Sequence, residues 1–588
     1  MRYYLKQMSR LFSIIILLLV DLTECIAQEL SILKHRTICN PINLDYRFCM
    51  DTPSRREAAD PTVVLFKNEY YLFASKCGGY YRSTNLIDWE LIVTDDLELH
   101  IEDYAPTVVA INDTLYFLSS SSNPKVFKSS DPKSGHWEIV NENFKIPMTD
   151  PALFLDDDGR LYFYYGCSDV EPIRGVELDI ATFDPIGEPI DLINSHREKY
   201  GWERGGDFNE KNNRPWIEGA WMTKHNDKYY LQYACPGTEF KSYCDAVYIS
   251  HNPLGPFQIA RHNPFSYKPG GFISGAGHGS TFKDRYGNYW HIASMSISQK
   301  HPFERRLGLF PVFFDCDGEM YACTKFGDFP YFIPQQKIDN FEKLQSGWML
   351  LSYKKEVEVS SALPGKEAIY AVDEEIRSYW SAKTGNKGEW IMVDLKDNCC
   401  INALQINFAE EDAQIIGKMI GRGDNIFYQY LLEYSKDKVN WSILVDKREN
   451  KIDAPHDYIE LPRGIDARYI RLTNYKVPDG TFAISDLRIF GRNSTAYSLQ
   501  APRDVIAKRD SLDRCRICLK WTGCKDAVGY NISYGAEKDK LYNHFQVMGK
   551  SELCIGSLNS NLDYYFMIEA FNENKDTATS DIIKCSVF

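Results

Sequence analysis

The chain has 588 residues, long enough for several domains, and 81 acidic against 67 basic side chains give it a net charge of −14. That balance argues against nucleic acid as a partner, because phosphate binding wants a basic patch. Aromatic content is high, with 38 Tyr, 32 Phe and 11 Trp, and such chains suit sheets better than helical bundles.

At the N-terminus, Arg2, Lys6 and Arg10 precede an apolar run over 11–20 that is too short to span a bilayer. CIAQ follows, with small Ala27 as a cleavage point. Residues 1–27 therefore read as a signal peptide, and the protein is expected to be exported to the periplasm or the extracellular space. LTEC has the outline of a lipid-anchor site at Cys25, although Glu24 stands where that motif wants a small residue. No other stretch is apolar and long enough for a transmembrane segment. The sixteen cysteines are scattered, so this is not a disulfide scaffold. Cys235 and Cys244 are spaced to pair across a loop. CRIC, at Cys515 and Cys518, lies alone in an alternating run and suits buried or bridged strand cysteines better than zinc.

One pattern recurs along the first half. DPTVVLFKNEYYLFAS begins at Asp60, APTVVAINDTLYFLSS at Ala105, DPALFLDDDGRLYFYYG at Asp150, EGAWMTKHNDKYYLQYA at Glu218 and HGSTFKDRYGNYWHIAS at His278. Each is strand, polar turn, aromatic strand, and so each is a hairpin. In the third unit DDDG is a solvated turn, while Asp150, placed before Pro151, is expected to be extended. The intervals are 45, 45, 68 and 60 residues, the longer ones leaving room for insertions. Five such units predict a five-bladed β-propeller, each unit opening on the strand nearest the axis. Asp60, Asp150, Glu218 and His278 would then meet at one end of the funnel. The second unit carries Ala105 there, so the repeat does not itself demand an acid. Like carboxylates crowded on an axis are unfavourable unless they are used. Three of them suit glycoside hydrolysis, where one acid is protonated and one ionised, held roughly 6.5–9.5 Å apart in an inverting enzyme to admit water. A third can raise the pKa of the acid and orient it.

With these residues in view, the chain over about 50–335 resembles glycoside hydrolase family 43, whose members are five-bladed arabinofuranosidases and xylosidases. The resemblance rests on ADP at Asp60, YRSTNLIDW at 81–89, YAP at 104–106, TDPALF at 149–154, WIEGAW at 216–221, SHNPLGPF at 250–257 and GHGS at 277–280. It implies Asp60 as general base, Asp150 as pKa modulator, Glu218 as general acid, and inversion at the anomeric carbon. It requires no cofactor, but allows a structural calcium near the propeller axis, approached by His278 through water. His278 reads equally as a hydrogen-bonded buried histidine. In ERRLGLFPV, Arg305 is the candidate arginine supporting acid and sugar, with Arg306 as rival and a surface ion pair as the plain alternative. Tyr104, Trp202, Trp216 and Trp221 are candidate sugar platforms, half of them expected to be inter-blade packing instead. Tyr104 stands where many members carry Trp, which loosens inference about the sugar. The insertion containing KYGWERGGDFNEKNNRPW is either a pocket rim or a plain surface loop.

Residues 345–492 resemble a discoidin-like (coagulation-factor type C) β-sandwich through AVDEEIRSYWSAKTGNKGEWIMVDL, ARYIRL and ISDLRIFG, with Trp380, Trp390 and Trp441 expected in its core. Residues 498–588 resemble a fibronectin type III sandwich, with Trp521 in the core and Tyr564 at the tyrosine corner. No linker separates the modules, so rigid packing is expected. The whole is all-β: a five-bladed β-propeller followed by two β-sandwich domains. The implied function is an exo-acting α-L-arabinofuranosidase on arabinan, pectin side chains or arabinoxylan, or else a β-D-xylosidase or β-galactosidase. A non-catalytic carbohydrate-binding or adhesion protein is the competing class.

Overall fold

The computed structural model describes residues 36–94, 99–147, 149–417, 426–495 and 499–587. The expected signal peptide, residues 1–27, and Cys25 lie outside them. No helix among the described residues is long and apolar enough to cross a membrane.

The five hairpin units each grow into an antiparallel sheet that runs outward in chain order. Their inner strands are Thr62–Phe66, Tyr104–Ile111, Ala152–Leu155, Glu218–His225 and Ser274–Lys283. Four blades have four strands and the fourth blade has five. Every blade is contiguous in sequence, so no strand is borrowed to close the ring. Instead, side chains stitch neighbouring blades around the axis. Thr62 Oγ1 donates to Pro106 O, Thr107 Oγ1 accepts from Leu153 N–H, and Ser280 Oγ accepts from Val63 N–H. The segment before blade one runs back along blade five: Ile42 N–H donates to Leu307 O at 2.9 Å, and Asn40 Nδ2 donates to Leu309 O and Gly327 O.

DDDG turns the hairpin of blade three, with Gly159 at φ 83 and its N–H on Asp156 O. Only part of it is solvated. Asp156 is buried and accepts from Lys224 and from Tyr229 OH at 2.6 Å, so it ties blade three to blade four.

The second domain is an eight-stranded sheet bent over two long strands, Trp390–Ala409 and His456–Lys476. Its core holds Trp380, Ile401, Leu404, Leu432, Leu472 and Ile489. Trp390 and Trp441 are only half-buried, contrary to expectation; Trp441 lies under the Arg471 guanidinium, 4.1 Å from its ring centre. The third domain is a three-stranded sheet facing a five-stranded one. Trp521 lies in its core, and Asn559 N–H donates to Tyr564 OH at 3.0 Å. Cys518 is bonded to Cys554 on the neighbouring strand, and Cys515 is a buried thiol. Cys235 and Cys244 face each other across adjacent strands but remain thiols, their sulfurs 3.9 Å apart.

The three domains are pressed together. Arg488 of the second domain is fully buried against Glu374 and reaches Asp328 O of the propeller side at 2.7 Å. Arg56 clasps Asp453 and Glu410. The insertion between blades three and four is a dock for the third domain. Gly201 N–H donates to Leu558 O, Gly556 N–H to Phe208 O, and Arg204 pairs with Asp513. Trp202, a candidate platform, is therefore fully buried in a core shared by blades three and four and the third domain.

Candidate active site

The residues that lead the inner strands share an unusual backbone. Asp60, Ala105, Asp150 and His278 all have positive φ, between 43° and 51°. The extended geometry expected of Asp150 before Pro151 is thus not what forms. In blade four the turn falls one residue later, on Gly219 at φ 61, where a Cβ would lie 2.6 Å from the His278 ring. Non-glycine residues reach this region only when the surroundings over-determine it. Here serines at or near the end of the second strand of the preceding blade do so. Ser294, Ser75 and Ser120 each accept, at 2.8 Å, the N–H of Asp60, Ala105 and Asp150 respectively. The GHGS turn is held by fully buried Asp245, which accepts from the N–H groups of His278 and Gly279 and lies 3.1 Å from His291 Nε2. These turns swing the leading side chains over the axis.

Asp60 is buried amid donors. Arg305 Nη1 reaches its Oδ1 at 2.8 Å and Ser75 Oγ its Oδ2 at 2.6 Å, while His278 Nδ1 stands 3.2 Å from Oδ1. Burial alone would raise its pKa, but Arg305, His278 and the Ser75 hydrogen bond outweigh that and hold it below the usual carboxylate range. Asp150 lies across from it, its Oδ2 3.7 Å from His278 Nδ1. Burial, then the nearby negative charges of Glu218 and Asp60, push it up to about 7 against the pull of His278. Single ligand atoms of Asp150, Cys167 and Glu218 all lie within 4.8 Å of one another. Glu218 accepts from Tyr243 OH on Oε1 and from Cys167 Sγ on Oε2 at 3.2 Å. Burial disfavours a charged His278, but Asp60, Asp150, Glu218 and Asp245 raise its pKa overall.

Arg305 and Arg306 point to opposite faces of their strand. Arg305 joins Asp60 to Glu57, 2.6 Å away, whereas Arg306 turns to His456 Nε2 of the second domain. Tyr104 is half-buried at the mouth, donating to Asp51 and accepting from Arg55. Trp216, two residues before Glu218, is 48% exposed. Trp221 is packing: its indole N–H donates to Thr281 O of blade five at 2.9 Å. Glu57, Ser75, Cys167, Tyr243 and Ser294 were missed from the sequence. The serines alone left a signal, closing FAS and IAS at matching repeat positions.

Residues 54–320 match the model for Glycosyl hydrolases family 43, and residues 356–485 match the F5/8 type C domain. The chain is 25% identical over 286 residues to a Vibrio sp Xylan 1,3-beta-xylosidase, covering 42% of this chain and 49% of that one. It is 28% identical over 233 residues to an Aspergillus niger Beta-D-galactofuranosidase, covering 34% and 62%. It is 23% identical over 267 residues to a Butyrivibrio fibrisolvens Xylosidase/arabinosidase, covering 40% and 48%. The chain thus spans about half the length of the curated relatives it matches. Among solved structures, a thermostable family-43 glycoside hydrolase aligns at 22% identity and a TM-score of 0.39, over 48% of this chain and 95% of that one. The chain carries a family 43 glycosyl hydrolase domain over residues 54–320 and an F5/8 type C domain over residues 356–485.

Proposed function

We propose that the protein is an inverting, exo-acting glycosidase in which Asp60 is the general base, Glu218 the general acid and Asp150 the modulator. The observation that carries this reading is the split between the carboxylates. Asp60 is held ionised by Arg305 and His278, while Asp150, pressed against Glu218, is pushed up to about 7. A carboxylate so held suits the base, and a raised carboxyl beside Glu218 suits the modulator. Ionised Asp60 takes a proton from water as that water attacks the anomeric carbon. Glu218 gives its proton to the leaving oxygen on the opposite face. Asp150, with Glu218 as a like-charged neighbour, is itself held toward its neutral form. The carboxylates also face the positive charge that develops on the sugar ring.

The substrate is a terminal α-L-arabinofuranose or β-D-xylose on arabinan, pectin side chains or arabinoxylan. Relatives named for xylose, arabinose and galactofuranose support a small neutral sugar of this kind. Tyr104, Trp216 and Arg305 line the approach to it. Residues 1–27 serve as the export signal of a secreted enzyme, the propeller unit spans 50–335, the second sandwich 345–492, and residues 498–588 form a fibronectin type III-like sandwich. His278 Nδ1 faces Asp60 and Asp150, which leaves its Nε2 as the atom that would approach a calcium through water. No step passes through a metal.

The test offers the full-length protein aryl α-L-arabinofuranoside, β-D-xyloside and β-D-galactoside, with xylan and arabinan oligosaccharides alongside. Asp60→Asn should abolish turnover of every substrate. Glu218→Gln should abolish turnover of oligosaccharides while retaining more on an aryl glycoside whose leaving group needs no proton. The first-formed sugar, followed by NMR, should have inverted configuration. A retained anomer, or full activity in Asp60→Asn, would overturn the assignment.

A further inference from the structure

Glu218 is gripped unequally. Its Oε1 accepts from the phenol of Tyr243, a fully buried residue whose ring packs against Gly277 of blade five. Its Oε2 accepts from the Cys167 thiol at 3.2 Å. A phenol is a strong donor and a thiol a weak one. Burial and the adjacent carboxylates raise both donors' pKa, so neither ionises at working pH. Cys167 stands one residue past the place where other blades use serine. At or near the end of the second strands of blades one, two and five stand Ser75, Ser120 and Ser294, each engaged with a leading-residue N–H. Blade three closes on Gly166, and the next side chain, Cys167, reaches Glu218 and Asp150 instead of backbone.

We propose that Tyr243 and Cys167 are positioning residues with divided roles: Tyr243 anchors Glu218 Oε1, and Cys167, by binding Oε2 only weakly, leaves that oxygen as the one that carries the proton to the leaving group. The inference rests on Glu218 being the general acid. The charged and titratable groups around it are Asp150 and Cys167 from blade three, Tyr243 from blade four and His278 from blade five, with Asp60 and Arg305 beyond Tyr243. A stronger donor at 167 would favour ionised Glu218 and weaken it as a proton store.

The experiment compares Cys167→Ser, Cys167→Ala and wild type on an oligosaccharide and on an activated aryl glycoside. The expected result is that the basic limb of kcat/KM on the oligosaccharide falls by roughly one pH unit in Cys167→Ser, the size one hydrogen bond to a carboxylate is worth. In Cys167→Ala it stays or rises. Turnover of the activated glycoside near neutral pH stays within about twofold in both, since that step needs no proton. Basic limbs that coincide in all three proteins, or equal losses on both substrates, would overturn the inference. Tyr243→Phe should lower kcat on the oligosaccharide at least tenfold with KM little changed, and an unaltered kcat would overturn its part. Glu218→Gln separates the two levels. If it still cleaves oligosaccharide, the acid is misassigned. If it does not and the limbs coincide, only the role of Cys167 falls.

Discussion

Arg305→Met is the sharpest probe of how the pocket keeps Asp60, the proposed base, ionised. Arg305 is 4% exposed, with one nitrogen 2.8 Å from Asp60 and another 2.6 Å from Glu57. A buried opposite charge at such range lowers a carboxyl pKa by about 1–3 units. Asp60 would keep Ser75 and His278, and Glu57 would keep Arg55 at 2.6 Å. The upper end of that range is therefore not reached, and a rise of about 1–2 units is expected for Asp60, equivalent to about 1.4–2.7 kcal/mol. The acidic limb of kcat/KM, which reports the free enzyme's base, should move up by the same amount. Stability follows with a definite sign. In wild type the folded-state pKa of Asp60 is depressed, so its contribution is present above the unfolded value and is lost as pH falls through the folded one. The variant's deficit in urea unfolding should accordingly be larger at pH 7 than at pH 4. An acidic limb that stays in place in a folded Arg305→Met protein would refute the reasoning.

Two further predictions concern the domain contacts. Glu203 is fully buried beside Tyr233 OH, and burial pushes it from 4.5 to about 7. A raised pKa means stability fully present below the unfolded value and lost as pH rises through about 7. Glu203→Gln should thus match wild type near pH 4.5 and exceed it by about 3 kcal/mol at pH 8, measured by calorimetry at both. Arg488→Met would strand Glu374 without its bidentate partner and cost about 3–5 kcal/mol in urea unfolding, whereas adding Glu374→Leu should recover part of the loss.

Much of the propeller was legible because its hairpins repeat, and a repeat read five times overrides the ambiguity of any single strand. The heads of the inner strands were legible for the same reason, with Ala105 as the internal control. The backbone there was not. Asp-Pro argues for extended chain, and the positive φ of Asp60 and Asp150 exists because Ser294 and Ser120 from the preceding blade capture their N–H groups. Tyr243 and Cys167 left no trace, since their roles arise only where blades three, four and five converge. The insertion was undecidable for a similar reason. Gly201 and Trp202 make sense only against Leu558 and the third domain, more than 300 residues away in sequence. Cysteine pairing was not legible from spacing: Cys518 and Cys554 are bonded across 36 residues, while the nearer pair Cys235 and Cys244 is not.

The packed interfaces set a distance. Buried Arg488, Arg56 and Trp202 fasten both sandwiches to the propeller without a tether. A module on a loose linker searches a volume, and its help to a neighbouring site is a local concentration that falls as the linker lengthens. A module bolted in place acts instead as a gauge. Whatever surface either sandwich touches would be met at one offset and one angle from the funnel. The spacing between such a contact and the funnel is then written into the fold rather than averaged over motion.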